Sequence, residues 1–210
     1  MASAMIHIAV ASEINKKIKK DYHKLFIGSI APDIAKFIGQ GKDKSHFIDE
    51  AGSDIPNLEK FLIKYKNNLD DDFVMGYYIH LYTDYLWYKY FIARMISNDV
   101  ITRLDGTKVK CDNDLLTFYM YNDYTNLNIK LIDEYNLNLK IFYDEIPDIK
   151  NIIEEIPMDK INVVVDNMGI ILENTEIHKD YIFNLESVND FINSCVKEIL
   201  ENLKNYRKDE

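Results

Sequence analysis

A histidine and an aspartate one helical turn apart are the residues in this sequence best suited to chemistry. His80 and Asp84 lie within GYYIHLYTDYLWYKYF, residues 76–91, where nearly every other position is aromatic or aliphatic. A carboxylate in apolar surroundings is costly unless it is paired or binds a metal, and no Lys or Arg lies one turn away on that face. Residues at i and i+4 share a helix face, so the pair can bind one divalent ion or simply form a hydrogen bond. Gly76 continues this face and permits close approach of another group.

Three further residues of ligand type precede this helix. His7 begins the apolar stripe of a predicted first helix, His46 stands in KSHF, and Asp33 follows Pro32 in GSIAPDI. Imidazole nitrogens and carboxylate oxygens suit Zn²⁺ or another divalent first-row metal. Together with the helical pair they predict a metal site for one or two ions between helices; the alternative is a metal-free polar network.

Asp123 is a further candidate ligand. It lies in YMYNDYTNLN, a polar stretch in the middle of a predicted helix. These polar side chains can face the metal cavity or form a solvated face, and the sequence leaves both interpretations open.

Four motifs in order carry a resemblance to a known family. MIHIAVA, FIGSIAPDI, SHF and GYYIHLYTDYLW span roughly the first 90 residues. Together they resemble the zinc-dependent phospholipase C family, all-α hydrolases related to single-strand nucleases with a trinuclear zinc site. The resemblance implies an all-α fold and metal-dependent hydrolysis of phosphoester or phosphodiester bonds.

The resemblance also implies individual roles. The ligands of one metal would be Asp33, His46, His80 and Asp84. Asp84 would bridge to a second ion that His7 also binds. The secreted phospholipases complete that second ion with their N-terminal amine, and we expect this ligand to be absent here because six residues precede His7. Their third zinc has no matching ligand set, since His178 stands alone, so we expect one or two zinc ions.

The expected chemistry is attack by a metal-activated water on phosphorus. A divalent ion lowers the pKa of bound water and stabilises charge on a phosphoryl oxygen. Asp33 and Asp84 are the predicted catalytic residues, since either can orient or deprotonate that water. The expected substrate is a small phosphorylated compound or a phospholipid headgroup.

Two other functions compete with this one. A metal phosphohydrolase of the HD-domain class would carry a His-Asp dipeptide, which this sequence lacks. A non-catalytic metal-binding or interaction protein would keep the fold without activity.

Composition predicts one domain over residues 1–210 and a cytoplasmic protein. The net charge of −10 argues against stable nucleic-acid binding. The first 50 residues nevertheless hold eight Lys against six acidic residues, so the acidic excess lies outside them. No apolar run suggests a transmembrane segment, and the N-terminus lacks a cleavage signal. His23 is predicted to lie on the surface.

Helical periodicity dominates the chain and predicts an all-α fold. Residues 26–47, with their glycines and Pro32, are predicted to form a loop with turns. Asp105-Gly106 predicts a short hairpin at 101–111. Residues 161–172 suit a strand or a helix, and their apolar spacing favours a helix. The predicted helices are 5–20, 55–65 with Pro56 in its first turn, 70–97, 112–135, 161–172 and 185–206.

Overall fold

The computed structural model describes residues 1–50, 52–173 and 179–206. Helices dominate these residues and the strands form one small sheet, so the all-α prediction is confirmed. His178 lies outside the described residues. None of the described helices is both long and apolar enough to cross a bilayer. The α-helices are α1 (Ala4–Ile18), α2 (Tyr22–Ile30), α3 (Ile34–Phe37), α4 (Leu58–Tyr65), α5 (Asp72–Leu86), α6 (Asn113–Tyr135), α7 (Ile161–Glu173) and α8 (Leu185–Tyr206).

Local capping explains where the site-bearing helices begin. Ser3 caps α1 by accepting a hydrogen bond from the Ile6 amide, and Asp71 caps α5 by accepting from Phe73 and Val74. Helix α1 ends at Ile18, two residues before its predicted end, and the C-cap residue Lys19 adopts the left-handed conformation. These caps fix the residues at which the two helices begin. They therefore also fix the helical turns on which His7 and His80 lie.

The loop predicted for residues 26–47 is wrong in its first half. The structure has α2, a 3₁₀ turn at Ala31–Asp33 and the short helix α3 there. Pro32 is tolerated because the first positions of a helical turn need no amide donor. Phe26, Ile27 and Ile30 are buried and form the apolar face of α2. The glycines of this segment favoured a loop in the sequence-based prediction.

Two predicted helix boundaries also differ. Helix α4 begins at Leu58 with Asn57 as its cap, so Pro56 lies before the helix and not in its first turn. Helix α5 ends at Leu86 and continues as a π-helical segment, Trp87–Ile92, and a 3₁₀ turn, Ala93–Met95. The large side chains of Trp87 and Phe91 are buried there, with ring centroids 4.2 Å apart.

The predicted hairpin is present and belongs to a three-stranded antiparallel sheet. Its strands are β1 (Ile96–Ser97), β2 (Val100–Thr102) and β3 (Lys108–Lys110), paired in that order. Gly106 has φ of 81°, which its predicted turn requires. The predicted helices at 112–135, 161–172 and 185–206 are confirmed as α6, α7 and α8.

Helices α2 and α5 cross at a pair of glycines. A Cβ added at Gly76 would lie 2.1 Å from the Leu25 carbonyl oxygen and 3.0 Å from the Gly28 Cα. A Cβ at Gly28 would meet the Phe73 carbonyl oxygen at 2.2 Å. The prediction that Gly76 permits close approach is therefore confirmed, and the approaching group is the backbone of α2.

Candidate metal centre

Helix α5 supplies the centre with two fully buried ligand-type side chains. His80 and Asp84 are both 0% exposed, and His80 Nε2 lies 3.6 Å from Asp84 Oδ2. Their spacing of one turn places them on the same face, as the sequence predicted. The remainder of the helix is buried in aromatic and aliphatic packing, so the pair has no access to bulk solvent.

The glycine crossing fixes the orientation of His80. It brings the end of α2 against α5, where the Ser29 carbonyl oxygen lies 2.8 Å from His80 Nδ1. A carbonyl can only accept a hydrogen bond, so Nδ1 carries the proton in the neutral ring. The lone pair of Nε2 therefore points away from α2 and into the centre.

Ser45 gives His46 the same orientation. The Ser45 hydroxyl donates to the Lys42 carbonyl at 3.2 Å, which leaves its oxygen to accept from His46 Nδ1 at 2.9 Å. Tyr77 donates in turn to the Ser45 carbonyl. His46 Nε2 is therefore also a lone-pair acceptor, held by a hydrogen bond on the far side of the ring, as is usual for metal-ligating histidines.

The two inward nitrogens face each other and two carboxylates. His46 Nε2 lies 3.2 Å from His80 Nε2, an approach of two acceptors that needs a proton or a cation between them. Asp33 Oδ1 lies 3.5 Å from His46 Nε2 and 3.9 Å from His80 Nε2. Asp84 Oδ2 lies 3.6 Å from each nitrogen.

Neither carboxylate oxygen at this point has a hydrogen-bond partner among the described residues. Asp33 Oδ1 and Asp84 Oδ2 are both buried and unpaired. A buried unpaired anion is among the most costly groups in a fold, and a bound cation is the usual compensation. The unpaired oxygens, together with the facing nitrogens, fit a divalent metal ion.

The spacing of these atoms also fits such an ion. Ligands of a tetrahedral zinc at about 2.0–2.1 Å lie about 3.4 Å from one another. The two histidine nitrogens and either carboxylate oxygen form a triangle with edges of 3.2–3.9 Å. Each triangle is close to one face of that tetrahedron.

His7 lies on the other side of His80. The two rings stack with centroids 3.8 Å apart and an interplanar angle of 11°. His7 Nε2 lies 3.3 Å from Asp84 Oδ1, yet neither His7 nitrogen makes a hydrogen bond. The Ala2 amide donates to the same Oδ1 at 2.8 Å. Asp84 therefore presents Oδ1 to His7 and Oδ2 to His46 and His80.

The ligand-type atoms accordingly form two overlapping groups of three. Asp33, His46 and His80 make one, and His7, His80 and Asp84 make the other, each with its atoms within 4.8 Å of one another. The structure thus brings together five of the six predicted metal ligands, which lie far apart in the sequence.

Electrostatics keeps most of these groups in the form that binds metal. Burial lowers the pKa of His7 to about 4, and burial also lowers the pKa of His46, so both rings are neutral at neutral pH. Burial alone would raise the pKa of Asp84, but His7 and the chain's terminal amine hold it well below its usual value. Asp33 behaves similarly, since His46 and His80 lower its pKa against the effect of burial. A metal would therefore meet ionised carboxylates and neutral imidazoles.

His80 differs from its neighbours. Burial acts to lower its pKa, but the nearby carboxylates of Asp84 and Asp33 raise it overall. A metal ion at His80 Nε2 would therefore compete with protonation of that nitrogen.

The sixth predicted ligand, Asp123, lies in a different environment. It is 0% exposed, but its oxygens accept the backbone amides of Tyr181, Ile182 and Phe183 at 2.7, 2.7 and 3.0 Å. It belongs to neither ligand group. The alternative interpretation, that Asp123 lies on a solvated face, is also wrong. Asp123 is buried, and its hydrogen bonds join α6 to the segment before α8.

Sequence reasoning missed the groups that orient the ligands. Ser45 stands directly before His46, and a hydroxyl beside a candidate ligand is a signal that could have been used. The Ser29 carbonyl and the Ala2 amide are backbone groups, so they cannot be predicted from a pattern of side chains. His23 is partly exposed and pairs with Asp144, its Nε2 lying 3.2 Å from Oδ2, in agreement with its predicted surface position.

A cavity of about 230 Å³ reaches the centre at Asp33. It lies between the start of α1, one face of α6 and the end of α7. A second cavity of about 330 Å³ lies beyond Met1 and Tyr121, which border both. A larger cavity of about 620 Å³ lies between α4, α5 and α8, but no ligand-type residue of the centre lines it.

Comparison with known proteins adds no assignment. No family model, no curated protein and no solved structure matches this chain.

Proposed function

We propose that the protein is a divalent-metal-dependent hydrolase of phosphoester or phosphodiester bonds. The observation that carries the proposal is the meeting of His46 Nε2, His80 Nε2 and the unpaired oxygens of Asp33 and Asp84 in a buried site. An all-acceptor site of this kind is stabilised by a cation. The resemblance of its motifs to zinc-dependent phospholipases C points to the same chemistry.

Zinc is the proposed metal, as one or two ions. The donor set of neutral imidazoles and carboxylates suits Zn²⁺ and other first-row dications, and it lacks the oxygen-rich character that Ca²⁺ prefers. Asp33, His46, His80 and Asp84 would hold the first ion. His7 and Asp84 Oδ1 would hold the second.

A bound divalent ion would supply an activated water and a Lewis acid for a phosphoryl oxygen. The protein's own contribution is to place Asp33 in the lining of a cavity and to bury Asp84 fully. Asp33 can then orient or accept a proton from the attacking water, while Asp84 holds both sides of the centre together. The buried aromatic packing around α5 excludes other water.

A small phosphorylated compound or a phospholipid headgroup is the proposed substrate. The cavity at Asp33 is small and also lined by Lys36, which offers a positive charge to an anion. The net charge of −10 makes stable nucleic-acid binding an unfavourable alternative. We place the activity in the cytoplasm.

A non-catalytic metal-binding protein is the second candidate. Asp33, His46, His80 and Asp84 are each at most 3% exposed. If all four bound one ion, they would close it to water, as in structural zinc sites. The hydrolase differs in needing an open position beside the cavity.

Metal content and activity of Asp84→Ala test the proposal. Protein purified without added metal should contain about one or two equivalents of zinc, and Asp84→Ala should lose most of it. Asp133→Ala, at an exposed position of α6, is the matched control and should retain the metal. Hydrolysis of p-nitrophenyl phosphate and bis-p-nitrophenyl phosphate should follow the metal. Circular dichroism confirms folding, and Asp84→Asn replaces Asp84→Ala if the latter unfolds.

The outcomes separate the candidates. Near-zero metal in both wild type and variant would contradict a metal centre of any kind. Stoichiometric metal without hydrolysis of either ester would favour the non-catalytic protein. Hydrolysis that survives loss of the metal would contradict the mechanism.

A further inference from the structure

The cavity at Asp33 is lined by several polar groups that the proposed reaction does not use, and one of them, in Asn128, is unpaired. One face of α6 lines it with Tyr121, Tyr124, Thr125 and Asn128, at helical spacing. Asn128 is 5% exposed, and its Oδ1 makes no hydrogen bond with the described residues. A buried amide oxygen without a donor is costly, and such groups commonly mark binding sites.

The remaining walls of the cavity are mostly apolar. Helix α7 and the start of α1 supply side chains that do not donate hydrogen bonds: Met5, Met168, Ile171 and Leu172. Thr125 offers no free donor to Asn128, because its hydroxyl donates to the Tyr121 carbonyl at 2.9 Å. Lys36 Nζ is directed to the Tyr121 hydroxyl at 2.9 Å. The donor that Asn128 lacks is therefore not supplied by these neighbours.

We propose that this cavity selects the alcohol portion of the substrate, as a compact apolar group with one N–H or O–H donor for Asn128 Oδ1. The inference rests on the proposed phosphoester hydrolysis, because Asp33, which lines the same cavity, would lie beside the phosphoryl group. The volume of about 230 Å³ suits a single aromatic ring or a short branched chain. Asn128 is a specificity-determining residue in this arrangement, and an unsubstituted apolar group binds less tightly because it leaves the amide oxygen unpaired.

Binding of two phosphonates tests the assignment without any reaction. 3-Hydroxyphenylphosphonate and 3-methylphenylphosphonate carry substituents of similar size, of which only the hydroxyl is a hydrogen-bond donor, and neither has an ester bond to phosphorus that could be hydrolysed. Calorimetry on the metal-loaded wild-type protein should show the hydroxyl compound binding about 3- to 10-fold more tightly, the value of one net hydrogen bond. The near-isosteric Asn128→Leu should bring the two affinities to equality.

Thr125→Val is the matched control. It changes a polar residue of the same cavity whose hydroxyl is already paired, so the preference for the hydroxyl compound should remain. Thermal unfolding gives a second readout: Asn128→Leu should unfold no lower than wild type, since it removes an unpaired buried polar group. A marked drop in unfolding temperature would show that Asn128 has a structural partner and would overturn the inference.

Failure of this inference is distinguishable from failure of the proposed function. A preference that survives Asn128→Leu, or no binding of either phosphonate, overturns the cavity assignment even if p-nitrophenyl esters are hydrolysed. A preference lost in Asn128→Leu, with no hydrolysis of any ester, supports the cavity as a binding site and contradicts the hydrolase.

Discussion

At the scale of single residues, buried carboxylates in this protein serve two different purposes. Asp33 Oδ1 and Asp84 Oδ2 are unpaired and face imidazole nitrogens. Asp123 is equally buried but accepts three backbone amides. Burial alone therefore does not distinguish a candidate metal ligand; an oxygen without a hydrogen-bond donor, facing imidazole nitrogens, does.

Asp123→Ala tests this distinction. The change leaves three backbone amides of residues 181–183 without their acceptor, two of them in buried hydrogen bonds. We expect the free energy of unfolding to fall by about 3 kcal/mol, measured by urea denaturation, because hydrogen bonds to a charged group are lost. Metal content should stay at the wild-type value. A variant of normal stability that has lost zinc would restore Asp123 as a ligand.

At the scale of elements, the site depends on how closely α2 approaches α5. Gly28 and Gly76 allow backbone contact between the helices, and this contact brings the Ser29 carbonyl to His80. The glycine contact therefore determines both how closely the two helices pack and which nitrogen of His80 carries the proton. A larger residue at the crossing would affect stability and metal binding together.

Gly76→Ala should show both effects. The new methyl group would lie 2.1 Å from the Leu25 carbonyl oxygen, so the helices must separate. We expect a loss of about 3 kcal/mol in the free energy of unfolding. We also expect about 10-fold weaker zinc binding in a chelator competition, because His80 loses its orienting acceptor.

Gly169→Ala is the control for this change. Its added methyl group would meet Phe142 only at 3.9 Å, an ordinary contact, within helix α7. Alanine is the better helix former by about 1 kcal/mol, so this variant should be as stable as wild type or more so. Equal behaviour of the two variants would contradict a special role for the crossing.

Much of the element pattern could be predicted from the sequence. The apolar stripes of residues 161–172 and 185–206 predict helices, and the structure has helices there whose buried residues follow those stripes. The loop prediction is wrong for residues 26–37 because Gly28 and Pro32 are helix-breaking by local propensity, whereas here a helix crossing requires the glycine. Local helix propensity cannot identify a glycine that is needed because another helix packs against it.

At the scale of the whole molecule, the residues of the centre come from four parts of the chain that pack in one core: α1, the turn after α2, the segment before α4, and α5. Without a cation this core contains two unpaired carboxylate oxygens and two facing imidazole nitrogens. The metal-free protein should therefore be less stable than the metal-loaded one, and the difference should be spread over the whole fold.

Removal of the metal should lower the melting temperature. A ligand present at 100 times its dissociation constant stabilises the fold by about 2.7 kcal/mol. For a chain of this size that corresponds to roughly 5–10 °C, measured by differential scanning calorimetry before and after dialysis against a chelator. Asp84→Asn should be insensitive to the chelator. A wild-type protein whose melting temperature does not change on metal removal would show that the polar network is stable without a cation.

The helical class, the residue types of the centre and the one-turn spacing of His80 and Asp84 can all be predicted from the amino-acid sequence. These depend on local periodicity and on side-chain chemistry, which the sequence displays directly. Tertiary structure decided which candidates meet: it joined His7, Asp33 and His46 to that pair and assigned Asp123 to the backbone of residues 181–183. It also supplied the Ser29 carbonyl that orients His80, because a backbone group acquires its partner only when two distant segments pack together.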